Sequence, residues 1–159
     1  MCQTPAILTS IGQSADVDIA NTLCTKAGIE VTLNKNITGD ELPDDCKTLI
    51  LAVGGSSKGL GAAGISQEDE LARANAIAQT VKDNGITVIA AHLGGASRRG
   101  ALSDQFNDIA LGVANYVMVV EEGNDDGKFT DAATDKGVPI TLLHSIADAI
   151  TPLTELFGA

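Results

Sequence analysis

Apolar positions along the chain follow two periods that alternate from one end to the other. Runs of strand length occur at residues 6–10, 29–33, 47–53, 86–93, 116–120 and 139–143. Two of them, KTLILAV and ITVIAAHL, are almost continuously apolar, the pattern of central parallel strands covered on both faces. Between the runs the spacing changes to three and four. Val17, Ala20, Leu23, Cys24 and Ala27 define a helix from residue 15, with Ser14 expected as its N-cap and Gly28 as its terminator. Leu71, Ala74, Ile77, Ala78 and Val81 define a longer one over 67–84, opened by Ser66 with Asp69 at the capping-box position and closed by Gly85. Further helices are predicted over 103–114, capped by Ser103, over 129–136, and over 146–157, the last bent or restarted at Pro152. Residues 34–45 are polar, acidic and interrupted by Pro43, and read as a loop with at most one helical turn.

Strands that alternate with helices, at connections too long for hairpins, make a parallel sheet with right-handed crossovers. The expected architecture is α/β, a three-layer α/β/α sandwich of flavodoxin-like or Rossmann-like type. Its expected strand order is 2-1-3-4-5, with the sixth strand beyond the fifth. At 159 residues the chain suits one domain.

Composition adds three constraints. With 44% hydrophobic but only 3% aromatic residues, the core must be built from Ala, Val, Ile and Leu. A net charge of −11 repels phosphate backbones and anionic headgroups, so neither nucleic acid nor a membrane surface is an expected partner. Cys2, Cys24 and Cys46 form no CxxC and suggest reduced thiols rather than a disulfide framework or a metal site. No apolar run reaches a membrane span and no leader precedes the first strand, so a cytoplasmic location is the default expectation.

Chemistry is expected beyond the carboxyl ends of the strands, where the strand order reverses between the first and third. The segments there are rich in Gly, Ser and basic groups, whereas turns at the opposite edge look like ordinary caps. Residues 54–64, GGSSKGLGAAG, read as a long glycine loop in which Gly54, Gly55, Ser56, Ser57, Lys58 and Gly59 supply the parts of an anion nest. Gly59, Gly61 and Gly64 formally spell a dinucleotide fingerprint, but they begin six residues beyond Val53 and the next strand ends in His92 instead of an acid, so NAD is disfavoured. Leu60 stands where a phosphate loop needs its lysine. Flavin is disfavoured as well, since no Trp is present to stack on the ring.

The first loop adds Ser10, Gln13 and Ser14, and the loop after the fourth strand adds Ser97, Arg98 and Arg99. A guanidinium fork suits bidentate contact with carboxylate or phosphate, so one arginine is expected to anchor a ligand while the other answers an internal acid, either the Glu121-Glu122 pair or Asp104. His92, at the end of a central strand, is a candidate acid or base, with a hydrogen-bonded structural histidine as the alternative. His144 reads as structural. Glu121, Asn124 and Asp126, in a third polar loop, have groups for a metal or a sugar hydroxyl but lack EF-hand spacing, and a solvated acidic turn explains them equally well. These parts describe a binding or accessory protein for a small phosphate- or carboxylate-bearing molecule. The alternatives are a hydrolase or transferase that uses His92 and a loop serine, and a subunit that docks a protein partner or a second copy.

Together, GQSAD after the first strand, GGSSKGLGAAG after the third, GGASRRGALSD after the fourth and EEGNDDGKF after the fifth resemble a family of small single-domain bacterial α/β proteins of unknown function. The resemblance covers nearly the whole chain. It implies that the four motifs occur together, and it brings no assigned activity, cofactor, substrate or catalytic residue. It also implies relatives with an export leader, which keeps a location outside the cytoplasm open.

Overall fold

The apolar runs assemble into one six-stranded parallel sheet in a computed structural model that describes residues 2–158. The strands are β1 (Ala6–Ile11), β2 (Val31–Leu33), β3 (Thr48–Val53), β4 (Thr87–His92), β5 (Tyr116–Val120) and β6 (Ile140–Leu143), in the order β2-β1-β3-β4-β5-β6. This is the α/β order expected from the pattern. Every residue of β1 and β3 is buried, because helices cover both faces.

The helices are α1 (Asp16–Lys26), α2 (Ser57–Ala63), α3 (Gln67–Asn84), α4 (Ala101–Val113), α5 (Lys128–Lys136) and α6 (Ile150–Phe157). Alternation along each strand sends successive side chains to opposite layers. On one face Leu49, Leu51, Val88, Ala90, Val117 and Val119 meet Ile77 and Val81 of α3, Phe106 of α4 and Phe129 of α5. On the other, Leu8, Ile50, Ala52, Ile89 and Met118 meet Val17, Leu23 and Cys24 of α1 and Leu153 of α6. Cys2, Cys24 and Cys46 are free and buried. Among the described residues no helix is long and apolar enough to cross a membrane.

Several local expectations need correction. Residues 54–64 are not one long loop: after a three-residue connection, residues 57–63 are α2, whose N-terminus Ser56 caps by accepting from the Gly59 N–H at 2.9 Å. Gly64, in the left-handed region, ends it, and Leu60 anchors it in the protein. Glycines are poor helix formers, so this helix owes its existence to its cap, its anchor and the close approach at Gly59 described below. Ser14 does not cap α1, where Ala15 holds the N-cap position without a side-chain bond. Ser103 lies inside α4, which begins just after Gly100. The terminal segment opens with a 3-10 turn at Ile146–Ala149, so Pro152 sits in the first turn of α6, where a missing N–H costs nothing.

Phe106 is fully buried between α4 and the sheet. Phe106→Ala is expected to cost about 3–5 kcal/mol in urea unfolding.

Candidate functional site

The carboxyl ends of β1 and β3 are joined by backbone rather than by side chains. Gly12 has φ +102° and Gln13 has φ +64°, which folds the chain tightly off β1 and makes Gln13 the one non-glycine residue with positive φ among the described residues. Gln13 forms an isolated antiparallel bridge with Gly55, and the Ser56 N–H donates to the Gly12 carbonyl at 3.0 Å. The approach is close enough to exclude side chains. A Cβ on Gly12 would lie 2.3 Å from the Gly54 oxygen, and one on Gly59 would lie 1.9 Å from the Gln13 oxygen. These glycines serve backbone packing between the turn after β1 and the segment that leads into the start of α2.

Beneath this junction lies a pair that pattern reasoning overlooked. Glu70 of α3 has no exposed surface, and its carboxylate accepts from the Gly12 N–H at 2.8 Å and from Gln13 Nε2 at 3.1 Å. Arg73, one turn on, grips the same carboxylate through Nε and Nη2, each at 2.8 Å. Its guanidinium also donates to the carbonyls of Ile37, at 2.8 Å, and Ser10. Three residues apart on a helix, Glu70 and Arg73 have the spacing of an ordinary solvated pair. The only signal was Arg73 itself, one of three arginines in an acidic chain.

A cleft of about 500 Å³ opens beside the junction, between the starts of α1 and α2 and the segment after β2. Of the expected site residues, Gln13, Ser14, Ser56, Lys58, Gly59 and Arg98 line it, and Lys35, not anticipated, joins them. Ala15, Val17, Ala62 and Ala63 give it an apolar portion. Lys35 Nζ is 3.0 Å from Asp18. Arg98 Nε is 3.2 Å from Asp16, and its Nη1 donates to the Gly55 carbonyl at 3.3 Å. Lys58 has no acidic partner among the described residues. Ser14 Oγ is closed off without a hydrogen-bond partner, near Gly54.

The remaining expected residues lie elsewhere. Gly54 and Gly55 are buried in the junction, and Gly55 exchanges bonds with Ser103 Oγ. Ser10 is buried within β1. Ser57 is exposed but off the cleft wall, and Ser97 Oγ turns back to donate to the Gly94 carbonyl at 2.7 Å.

Arg99 is the internally engaged arginine. It pairs with Asp104 and Asp126, each at 2.8 Å, donates to the Gly123 carbonyl at 2.8 Å, and lies 5.7 Å from the centre of the Phe129 ring. Hydrogen bonding to Asp126, then to Asp104, holds its guanidinium above the ordinary value. Burial pushes the Asp104 carboxyl up, but hydrogen bonds from Arg99 and Asn107 and nearby positive charge outweigh it and leave the group below its usual range. The third polar loop is thereby structural: Asp126 holds Arg99, and Asn124 Oδ1 accepts from the Phe129 N–H at 2.8 Å to start α5.

His92 is 1% exposed. Its Nε2 meets the Arg98 carbonyl at 2.7 Å, its Nδ1 is sealed without a partner, and its ring packs 4.7 Å from that of Phe129. Burial lowers its pKa, opposed in part by the bond to Arg98. The ring supports the 94–100 segment from below and does not line the cleft. His144, by contrast, is exposed and pairs with Glu121 at 3.0 Å. Among the described residues no three Asp, Glu, His or Cys side chains converge as a metal site would.

Glu70→Gln leaves Arg73 as a buried, uncompensated cation and is expected to cost about 3–5 kcal/mol of stability. Glu70→Gln combined with Arg73→Met should recover part of that loss in the same denaturation series. His92 predicts a pH dependence. Its folded pKa lies below the unfolded value of about 6.5. Its contribution is complete above that value and is lost as pH falls toward the folded pKa, because the unfolded chain takes up the proton first. His92→Gln should flatten this limb of a stability–pH curve.

No curated protein matches the sequence. Among solved structures, a GDSL-like lipase from Bacteroides thetaiotaomicron aligns at TM-score 0.36 and 12% identity, over 86% of this chain and 66% of that one. An esterase, EstA, from a Pseudoalteromonas species aligns at 0.36 and 10%, over 88% and 78%. A GDP-L-fucose synthetase from Naegleria fowleri bound to NADP aligns at 0.38 and 12%, over 90% and 50%. The chain thus spans about two thirds of the lipase and half of the synthetase. A family model described as a domain of unknown function, DUF6305, matches residues 3–157, and the chain belongs to that family.

Proposed function

We propose that the protein binds a small anionic molecule, bearing a phosphate or carboxylate, in the cleft between the starts of α1 and α2. One observation carries this reading. Of the ten Lys and Arg residues in a chain of net charge −11, three line that one cleft. Among the described residues Asp18 is the single acid in its wall, and Lys35 already answers it. Lys58 is left to meet an incoming anion, and Arg98 offers the outer part of its guanidinium beside Asp16. The Ser56 hydroxyl oxygen accepts from Gly59, and its own proton is available to a ligand oxygen.

The hydrolase alternative asks His92 to move protons for a bound substrate. Its ring lies under the 94–100 segment and burial favours the neutral form, so binding is the better supported reading. Nor does a nicotinamide cofactor enter this reading. Gly59 and Gly61 lie within α2 and Gly64 ends it, whereas a dinucleotide motif places its first glycine in the turn directly off the strand.

A library of phosphorylated and carboxylated metabolites should yield compounds that raise the melting temperature of the wild-type protein. Lys58→Ala should weaken their binding roughly tenfold, the size of one charge-assisted hydrogen bond. Arg98→Ala should weaken it at least as much. If no anion shifts the melting temperature, or both variants bind as wild type does, the site is elsewhere.

A further inference from the structure

Gln13 has both amide hydrogens committed. Its Nε2 donates to the Lys35 carbonyl at 3.0 Å and to Glu70 Oε2 at 3.1 Å. A backbone carbonyl accepts only, and so does a carboxylate held by arginine, so the two ends of the amide are not interchangeable: nitrogen faces these partners. The carbonyl oxygen Oε1 is therefore the end left over. Among the described residues nothing donates to it, and it is not among the side-chain atoms sealed from solvent. Gln13 lines the cleft, and Oε1 is the end of its amide that solvent reaches.

The orientation is held from several sides. Glu70 binds the Gly12 N–H as well as the Gln13 amide, Arg73 holds Glu70, and the Gln13 backbone is locked at φ +64° by its bridge to Gly55. A non-glycine residue in the left-handed region is uncommon and persists only where surrounding bonds enforce it. The cleft thus combines cationic groups with one fixed hydrogen-bond acceptor.

We propose that Gln13 determines specificity: the cleft takes anions that also bear a hydroxyl or amino donor in preference to the same anions without one. This rests on the anion site proposed above. The preference has a simple origin. A ligand lacking the donor displaces water from Oε1 and returns nothing, so the loss includes the desolvation of the acceptor and not merely the absence of one bond. For a partly buried neutral acceptor this amounts to roughly tenfold in affinity.

Calorimetry with two matched pairs tests the inference, 2-hydroxyethyl phosphate against ethyl phosphate and malate against succinate. The hydroxylated member of at least one pair should bind wild type about tenfold more tightly than its partner. In Gln13→Gly that advantage should vanish, the two affinities within each pair becoming equal, while glycine adopts the same φ freely and Glu70 keeps Arg73 and the Gly12 N–H. Gln13→Asn, which tolerates the same φ and withdraws the carbonyl by one methylene, serves the same purpose if the glycine variant does not fold. Equal affinities within both pairs on wild type overturn the role of Gln13 and leave the anion site standing. An advantage that survives removal of the side chain also overturns it. Failure of all four compounds to bind overturns the anion site and this inference together.

Discussion

The carboxyl edge of the sheet depends on one buried ion pair, Glu70 with Arg73. Taking both charges out of water costs several kcal/mol per ion, and well-packed apolar residues would often serve stability as well. What the pair adds is position. The Glu70 carboxylate gathers the Gly12 N–H and the Gln13 amide, while Arg73 collects carbonyls from the end of β1 and from Ile37. Two segments distant in sequence, the turn off β1 and the stretch after β2, are pinned to the first turns of α3. The unusual backbone at Gly12 and Gln13 is held by these bonds together with the bridge to Gly55.

From that anchor the site is built outward. The turned loop after β1 meets the start of α2 backbone to backbone, which removes the space for side chains at Gly12 and Gly59. The two adjacent arginines then divide their tasks. Arg99 turns toward Asp104, Asp126 and Phe129 and fastens the 94–100 segment to the start of α5, with His92 packed beneath. Arg98 crosses toward Asp16 and the Gly55 carbonyl and reaches the cleft wall. One neighbour holds the segment so that the other can be presented.

Pattern alone carried the fold a long way. The continuous runs of β3 and β4 mark a sheet covered on both faces, and the three-and-four spacing of α1 and α3 marks which stripe covers it. It misjudged residues 54–64, where glycine density suggested open loop. Seven of those residues are helical because Ser56 caps them and Leu60 is buried beneath them. Ser103 looked like a cap because serine favours that role, yet its hydroxyl exchanges bonds with Gly55 inside the first turn of α4.

By itself the sequence determined the elements, their parallel order and the edge at which polar groups gather, because periodicity and connection length are local properties that tertiary packing rarely overturns in strongly patterned segments. Only the tertiary structure decided which of those polar groups face one another. Glu70 and Arg73 are three residues apart and look like any exposed helix pair, and Arg98 and Arg99 are chemically identical neighbours. What separates them is burial and direction, set by partners between five and eighty-two residues away in the chain. Spacing along a chain does not encode which partner lies across a fold.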